Sequence, residues 1–344
     1  MEKFRDKIFN EEVFETYRRT LESTKENSLI KGALFTVVNK YKALMNEQTG
    51  GYQVKEPIKG RIGGNPVNYD GNTDIPAGSE RDTFYQNKIC YGRAKAFGEY
   101  DFASDITGAN FKAEAQEVNE YWDEQRQSTV LSILAGIFGM TGGVNGQFVA
   151  KHTYNITNEV TPTLGADALN RASQQALGDK KAKLDVIFMH SAVSTNLEGL
   201  NLIDFLKYTD ANGIQRDLTI GTFNGKTVIV DDEMPVTTDS TGNIYTSYVF
   251  KKGFFEYENI GAAKPSELVR NAYSKGGFTD LVTRVREMIV PYLISYKGTG
   301  TVSPENSDFA TGSNWELANN NKEGGSKVYV DDKLIPVARI ISRG

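Results

Sequence analysis

The sequence predicts an α+β protein, and three observations support that fold class. Residues 111–139 place apolar or small side chains every three or four positions, which is the period of one helix face. Helix and strand patterns alternate from about residue 145 to 250, as they do in a mixed domain. Longer strand patterns follow residue 252. The chain has 344 residues, which allows two or more domains.

Residues 1–29 are predicted to form an N-terminal arm. Asn10 can cap a short helix that has glutamates in its first turn and arginines in a later turn, an order that suits the helix dipole. A helix of this length is not stable alone, so we expect it to dock on its own body or on a neighbour. The apolar, β-branched segment 29–45 fits either a strand or a short helix.

Residues 50–82 are punctuated by glycine and proline and contain few large apolar side chains. Short extended pieces between turn signals are expected there, and residues 83–102 are predicted to form a strand. Together these segments indicate a long hairpin that projects from the body. Because such a hairpin is unstable alone, contacts with another subunit would have to hold it. A large surface loop is the alternative.

The long helix at residues 111–139 is predicted to have two different halves. Asn110 offers an N-cap oxygen, and no proline interrupts the segment. The first half carries many charged side chains, whereas residues 127–150 carry none. We therefore expect a half-exposed first half and an enclosed second half with other elements packed across it.

The rest of the chain alternates between helix, strand and turn signals. The predicted elements are a helix at 163–177 that ends before Gly178, a buried strand at 184–190, a helix at 191–206 with Ser191 as N-cap, a turn at 208–213, a buried strand at 226–230, a hairpin turn at 239–242 and strands at 245–251, 253–261 and 281–298. Residues 299–327 have the composition of a polar surface loop, and two short strands around Asp331-Asp332 are expected to close the chain.

No set of side chains in the sequence points to catalysis. The two histidines, His152 and His190, have no partner at metal-ligand spacing. His190-Ser191 fits a helix cap better than a nucleophile, because no G-x-S-x-G elbow surrounds it. Asp231, Asp232 and Glu233 could hold a divalent ion, but a solvated strand end is the favoured interpretation. We therefore expect neither an enzyme nor a cofactor, and we assign no catalytic, cofactor-binding or metal residue.

Composition argues against several other classes. The net charge is −5 and there is no basic run, so nothing marks the chain as a primary nucleic-acid reader or a membrane-surface binder. Cys90 is the single cysteine, which precludes an intrachain disulfide, and it is expected to be a structural thiol. The N-terminus lacks the apolar core of a signal peptide, and the window from Val130 to Met140 is too short to span a bilayer.

Three segments resemble one known family. LDVIFMHSAVSTNL (184–197) resembles a strand-to-helix segment, and TFNGKTVIVDDEMP (222–235) resembles the strand and turn that follow it. NSDFATGSNWELA (306–318), followed by KLIPVARII (333–341), resembles the C-terminal segment of coat proteins from temperate phages of Gram-positive bacteria. The order of all the parts agrees, so nearly the whole chain resembles the major capsid proteins of tailed bacteriophages, which have the Hong Kong 97-type fold.

The resemblance implies a division of the chain. It assigns residues 1–29 to an N-terminal arm, residues 30–52, 96–144 and 251–344 to a peripheral domain with a spine helix at 111–139, residues 53–95 to an extended loop over an adjacent subunit, and residues 145–250 to an axial domain around the five- or six-fold axes.

The resemblance also implies a function in the virion. Hexamers and pentamers of the chain would assemble in the host cytoplasm and close into an icosahedral shell around double-stranded DNA, held without sequence specificity. A scaffolding protein and a portal are further expected partners, and no membrane is involved. The interface residues expected on the extended loop are Lys59, Arg61, Ile62, Val67, Tyr69 and Ile75.

Two other interpretations stay open at the level of sequence. One keeps the fold and makes the chain an encapsulin-like nanocompartment shell. The other is a metal-dependent hydrolase that uses Asp231, Asp232 and Glu233.

Overall fold

The computed structural model describes residues 34–47, 52–62, 65–75, 82–101, 115–209, 215–273, 276–298, 300–322 and 327–344. The expected arm at residues 1–29 and the expected start of the long helix at 111–114 lie outside the described residues.

The described residues contain helices of very different length. They are α1 (Lys42–Glu47), α2 (Ala115–Ile137), α3 (Gly143–Lys151), α4 (Ala166–Leu177), α5 (Ser191–Gly199) and α6 (Asn306–Ala310). The strands are β1 (Phe35–Val37), β2 (Gln53–Lys59), β3 (Thr83–Ile89), β4 (Tyr91–Tyr100), β5 (Thr153–Asn155), β6 (Val186–Met189), β7 (Ile203–Thr209), β8 (Gln215–Phe223), β9 (Lys226–Val230), β10 (Val236–Asp239), β11 (Gly242–Phe250), β12 (Phe255–Asn259), β13 (Ser266–Asn271), β14 (Phe278–Pro291), β15 (Ile294–Tyr296), β16 (Trp315–Leu317) and β17 (Val337–Ser342).

A five-stranded sheet is built around the long strand β14. On one side β14 pairs with β4 from residue 278 to 287, and on the other it pairs first with β13 and then with β12. β1 adds to the far side of β12 in a parallel register. The last residues of β14 are buried, because this end of the strand enters the main core.

An eight-stranded sheet forms the second layered unit. Its order is β5-β17-β11-β6-β9-β8-β7, with β10 paired to β11. β6 is buried along its whole length and has β9 parallel on one side and β11 antiparallel on the other, which fits its unbroken apolar sequence. Buried residues of α4 and α5 pack with those of β6 in one core, and Leu177 and Leu197 are among them.

The second half of α2 joins the two sheets. Val130, Ile133, Leu134 and Ile137 are fully buried in a core that also contains side chains of both sheets. The helix is confirmed over its described length, but its first half is less exposed than expected. Trp122 is buried, and the side chain of Arg126 is only 22% exposed because it pairs with the buried carboxylate of Glu287.

Several local expectations are wrong. The strand expected at 83–102 is divided at Cys90 into β3 and β4, which lie in different sheets, and the strand expected at 281–298 is divided into β14 and β15. The helix at 191–206 ends at Gly199, because Asn201 takes a φ of 53° and β7 begins at Ile203. Its N-cap is His190 and not Ser191, since the ring of His190 accepts the N–H of Ala192. Of the two strands expected around Asp331-Asp332, the first is a single bridge from Tyr329 to Asn319.

Residues 299–327 are not merely a polar surface loop, which is a further correction. Within them, α6 and β16 carry Phe309, Trp315 and Leu317 into the main core. The segment contains few apolar residues, so its average hydropathy is that of a surface loop. In the fold, Phe309 and Trp315 form an aromatic cluster with Tyr296.

The contact between α6 and α2 depends on a glycine in the helix. A side chain at Gly136 would collide with the carbonyl oxygen of Phe309 and with the indole of Trp315, which donates to that same oxygen at 2.7 Å. The backbone of α2 at Gly136 therefore lies too close to α6 for any side chain, and this explains why glycine occurs near the end of the helix despite its low helix propensity.

We expect Gly136→Ala to destabilise the subunit by about 1–3 kcal/mol through overpacking, although alanine is the better helix former by about 1 kcal/mol. Gly146→Ala in α3 is the matched control, since the first atom that its methyl group would meet is 3.6 Å away, and it should be neutral or slightly stabilising. Urea unfolding followed by circular dichroism measures both. Equal effects of the two substitutions would contradict the close approach.

Candidate subunit interface

The hairpin of β2 and β3 carries the candidate interface. The two strands pair antiparallel from Gln53 with Ile89 to Lys59 with Thr83. Two strands cannot enclose a core of their own, so one side of the hairpin must lie on the body. Gln86, Lys88 and Ile89 of β3 are buried, and Gln86 and Lys88 share one face of the strand.

The predicted interface residues all lie on the exposed part of this hairpin. Lys59 ends β2 and Arg61 follows it, both exposed. Four large apolar side chains farther along are also open to solvent, and the exposed fractions are 77% for Ile62, 39% for Val67, 92% for Tyr69 and 74% for Ile75. Exposure of this many apolar side chains on one short segment is typical of a surface that binds another protein.

A polar turn organises the described tip of the loop. The carboxylate of Asp70 accepts the backbone N–H groups of Asn72 at 2.9 Å and Thr73 at 2.7 Å. It also accepts the hydroxyl of Thr73 and the side-chain amide of Asn68. These hydrogen bonds lower the pKa of Asp70 to about 2, and Gly71 supplies the positive φ that the turn needs. The segment that carries Val67, Tyr69 and Ile75 is thus locally ordered by its own sequence.

A buried lysine attaches the hairpin to the body. Lys88 on β3 is 1% exposed, and its ammonium group lies 2.5 Å from the carboxylate of Glu56 on β2 and 2.6 Å from that of Glu256 on β12. The hydroxyl of Tyr41 lies 2.6 Å from the same nitrogen. The amine is therefore surrounded by oxygen atoms from three parts of the chain, and two of those parts lie outside the hairpin.

The charges of this cluster are mutually supporting. Burial tends to raise the pKa of Glu56, but hydrogen bonds from Lys88, Tyr41 and Lys40 outweigh it and lower the pKa to about 2. Burial and the neighbouring carboxylates raise the pKa of Tyr41, so its hydroxyl stays protonated and can donate to Glu56. We call Lys88, Glu56, Glu256 and Tyr41 the anchor cluster.

A second carboxylate fixes the segment that leads to the anchor cluster. Glu258 is 1% exposed, and its oxygens accept the backbone N–H groups of Lys40, Tyr41 and Lys42 at distances down to 2.7 Å. These amides lie at the start of α1 and lack an acceptor within the helix, so the carboxylate compensates the helix terminus while it holds Tyr41 in place.

Backbone contacts complete the attachment of the hairpin. The side-chain amide of Gln86 donates to the carbonyls of Pro291 at 2.8 Å and Ile294 at 2.9 Å, across the turn that joins β14 to β15. The N–H of Tyr85 donates to the carbonyl of Asn319 at 2.7 Å. The hairpin is therefore held along most of β3, while its distal part stays free to contact another chain.

A similar buried pair ties α2 to the five-stranded sheet. Glu287 on β14 is 1% exposed and accepts from Arg126 at 2.8 Å and from the hydroxyl of Tyr257 at 3.0 Å. Arg126 also pairs with Asp123 on its own helix. This ion pair explains how the charged half of α2 can lie against a sheet.

The residues weighed for catalysis are engaged in structural contacts. The Nδ1 of His190 lies 3.5 Å from the hydroxyl of Ser191 and 3.8 Å from the carboxylate of Asp232, but the same nitrogen accepts the N–H of Ala192. The side-chain amide of Gln127 donates to Asp231 at 3.1 Å and to Glu233 at 2.5 Å, whereas Asp232 accepts the N–H of Ser191. No group of three or more potential metal ligands occurs within the part of the chain that the structure describes. Asp231 and Glu233 thus bind α2 through Gln127, whereas Asp232 binds the start of α5 through Ser191.

The remaining nucleophile and base candidates are structural as well. Cys90 is buried, and burial raises the pKa of its thiol. His152 is also buried, which lowers the pKa of its ring, and its Nδ1 lies 2.6 Å from the carbonyl of Val337. No helix among the described residues is long and apolar enough to cross a membrane.

One curated protein is similar in sequence. The major capsid protein of Bacillus phage SPP1 is 28% identical over 228 residues, which are 65% of this chain and 66% of that protein. The match thus spans just under two thirds of the relative's length. No family model matches the chain.

Solved structures of phage capsids are similar in fold over almost the whole chain. The capsid asymmetric unit of cyanophage Pam1 gives a TM-score of 0.59 at 10% identity and covers 99% of this chain and 97% of that one. The capsid of Helicobacter pylori bacteriophage KHP30 gives 0.53 at 12% identity with 100% of both chains covered. The capsid of Ralstonia phage GP4 gives 0.53 at 9% identity and covers 99% and 96%. The chain therefore has the Hong Kong 97-type fold of these capsid proteins, and the fold class predicted from the sequence is confirmed.

We expect Lys88→Met to destabilise the subunit by about 1–3 kcal/mol, because it removes the buried cation between Glu56 and Glu256 and leaves these partly buried carboxylates with the more exposed Lys40 as their shared cation. Lys59→Met removes an exposed lysine from the same hairpin and should change stability by less than about 0.5 kcal/mol. Urea unfolding at neutral pH compares the two. Near-equal midpoints would show that the anchor cluster does not hold the hairpin.

Acid should weaken the anchor cluster in a defined range. Since the pKa of Glu56 falls from 4.5 to about 2 on folding, its contribution to stability is present above pH 4.5 and is lost as the pH falls towards 2. Glu56→Gln should be less stable than the unmodified chain at neutral pH and should lose less stability across this range. Unfolding midpoints measured at successive pH values give the dependence of stability on pH for the unmodified chain and for Glu56→Gln. The same dependence in both proteins would contradict the stabilising role given to the ionised Glu56.

Proposed function

We propose that this chain is the major capsid protein of a tailed bacteriophage and that it self-assembles through hexamers and pentamers into an icosahedral shell around double-stranded DNA. The observation that carries the proposal is an exposed apolar loop on an anchored hairpin, in a chain with a phage capsid fold and a phage major capsid protein as its relative. We further propose a structural protein and not an enzyme, because no group of three or more potential metal ligands occurs among the described residues and Gln127 and Ser191 engage the acidic run at 231–233.

We assign the five-stranded sheet and α2 to a peripheral domain formed by residues 30–52, 96–144 and 251–344, with α2 as the spine helix. The eight-stranded sheet with α4 and α5 belongs to an axial domain of residues 145–250. β17 pairs with β11 and β5, so we propose that this domain takes one strand from the C-terminal segment. The extended loop is expected at residues 53–95, but residues 91–95 belong to β4 of the five-stranded sheet, so we assign residues 53–90 to the loop and residues 91–95 to the peripheral domain. Residues 1–29 are the arm.

The mechanism of assembly follows from the hairpin. The loop of one subunit lies over an adjacent subunit and buries Ile62, Val67, Tyr69 and Ile75, while Lys59 and Arg61 contribute charge at the rim. Full burial of a large apolar side chain contributes about 1.5–3 kcal/mol. A few such contacts per subunit give weak pairwise binding, but a closed shell repeats them many times, so assembly is reversible early and stable when complete.

The proposed partners follow from the same role. The chain associates with itself, with a scaffolding protein and a portal during assembly in the host cytoplasm, and with packaged DNA in the virion. No observation favours an encapsulin-like nanocompartment, because the curated relative is a phage major capsid protein. No observation favours a metal-dependent hydrolase either, since Gln127 and Ser191 engage Asp231, Asp232 and Glu233.

We expect Ile62→Asp to leave the subunit folded but to block shell formation. The side chain is 77% exposed in the single chain, so a charge costs little there, whereas the same charge in a buried contact is expensive. Val160→Asp is the control, because Val160 is fully exposed outside the hairpin. Circular dichroism reports folding, and electron microscopy of the concentrated protein, with its scaffold where needed, reports shells.

Normal shells from Ile62→Asp would contradict the proposed interface. A chain that stays strictly monomeric in its unmodified form, with or without a scaffold, would contradict the proposed function itself.

A further inference from the structure

Lysines that are distant in sequence come together at one end of the eight-stranded sheet. We call this surface the basic end, and its members are Lys180, Lys181, Lys183, Lys251, Lys252 and Lys333. All are exposed except Lys180, which is partly exposed. They lie where β6 begins, where β11 ends and just before β17, which are neighbouring strands of one sheet.

Backbone hydrogen bonds show that these segments are in direct contact. The N–H of Asp185 donates to the carbonyl of Phe250 at 2.9 Å, which brings Lys183 beside Lys251. The N–H of Lys251 donates to the carbonyl of Pro336 at 3.1 Å, close to Lys333 in the chain. The ammonium group of Lys333 lies 3.9 Å from Asp179.

A buried lysine fixes the turn that carries the first part of this surface. Lys226 is 9% exposed, and its ammonium group donates to the carbonyl of Leu184 at 2.6 Å. Burial lowers the pKa of Lys226. The segment 181–183 is therefore held against the sheet and is not a loose tail of positive charge.

The basic end carries a local excess of positive charge in a chain whose net charge is −5. Its six lysines outnumber the nearby acids Asp179, Asp185, Asp331 and Asp332, and Asp332 is itself paired with Lys151. Across the described ranges, no ion pair joins Lys183, Lys251 or Lys252 to a carboxylate. Their charges are thus available to a partner outside the chain.

The chemistry of this surface favours a polyanion over another protein. Lysine is depleted in protein–protein interfaces, and the centres of such interfaces need apolar anchors. Beside these lysines, the structure shows Leu334 at 36% exposure as an apolar side chain, which is little apolar surface for a protein partner. A row of flexible ammonium groups without an apolar groove matches repeated phosphates read without sequence specificity.

We infer that the basic end is the surface with which this chain contacts the phosphate backbone of the packaged double-stranded DNA. The inference rests on the proposed function, because DNA is a partner only of a shell that encloses it. In the assembled particle the basic end faces the lumen, and each subunit contributes weak, salt-sensitive contacts.

The test compares two triple variants of the full chain that have the same net charge. Lys183→Gln, Lys251→Gln and Lys252→Gln remove the unpaired lysines of the basic end, whereas Lys264→Gln, Lys297→Gln and Lys322→Gln remove exposed lysines elsewhere. A short fluorescein-labelled duplex is titrated with unassembled protein over a range of NaCl concentrations, and anisotropy gives the affinity. The slope of log affinity against log salt should fall by about 0.9 for each phosphate that the protein no longer neutralises, hence by nearly 3 in the first triple variant. It should not change in the control.

Electron microscopy of the same proteins separates this inference from the proposed function. Normal shells from the first triple variant, together with its reduced salt slope, support the inference. An equal slope in both triple variants, binding of polyglutamate without binding of the duplex, or failure to form shells with unchanged DNA binding would each overturn it. If the unmodified chain never forms shells and the slope still falls, the DNA-binding surface is supported and the proposed function fails.

Discussion

The burial of Lys88 is the constraint on which the shape of the molecule depends. A two-stranded hairpin has no core of its own, so its orientation must be fixed by the body. The ammonium group of Lys88 is withdrawn from water and is compensated by Glu56 within the hairpin and by Glu256 in the five-stranded sheet. If the hairpin left the sheet, Lys88 would lose its contacts with Glu256 and Tyr41, and the carboxylate of Glu256 would lose this cation.

The rest of the fold makes that attachment firm. Glu258 holds Tyr41 by its backbone, and Glu287 holds Arg126 of α2 against the same sheet. Farther along α2, the close approach at Gly136 brings α6 and the aromatic side chains of the C-terminal segment onto the helix. The described part of the chain is thus a firmly packed body with one projecting, apolar edge. The buried ion pairs described above hold elements of the fold in position, which suits the proposed role in a shell.

The sequence was sufficient where a short segment determines its own structure. The apolar run VIFM in β6, the glycine that follows α4 and the turn between β10 and β11 all agree with their predictions. It was insufficient where a few side chains depend on distant partners. Phe309 and Trp315 could not be recognised as core residues, because the cleft that receives them is created by Gly136 about 170 residues earlier in the chain.

The candidate sites show the same division. Glycine and proline spacing located the loop that carries Ile62 and Tyr69, and the structure confirms that these side chains are exposed. Lys55 and Lys88 lie on the two paired strands of the hairpin, and only the fold shows that the second of them is buried. The basic end likewise could not be predicted from the sequence, because Lys183 and Lys333 are brought together only by the pairing of β6, β11 and β17.

The junction of β3 and β4 has a mechanical consequence. Only Cys90 separates these strands, yet β3 belongs to the hairpin and β4 to the five-stranded sheet. Tyr85, Gln86 and Lys88 bond β3 to the body, so the strand cannot swing at this junction. Its seven residues span about 23 Å and extend the five-stranded sheet as one rigid piece. A rotation of that sheet by about 5° therefore displaces the far end of β3, and the exposed loop that it carries, by about 2 Å.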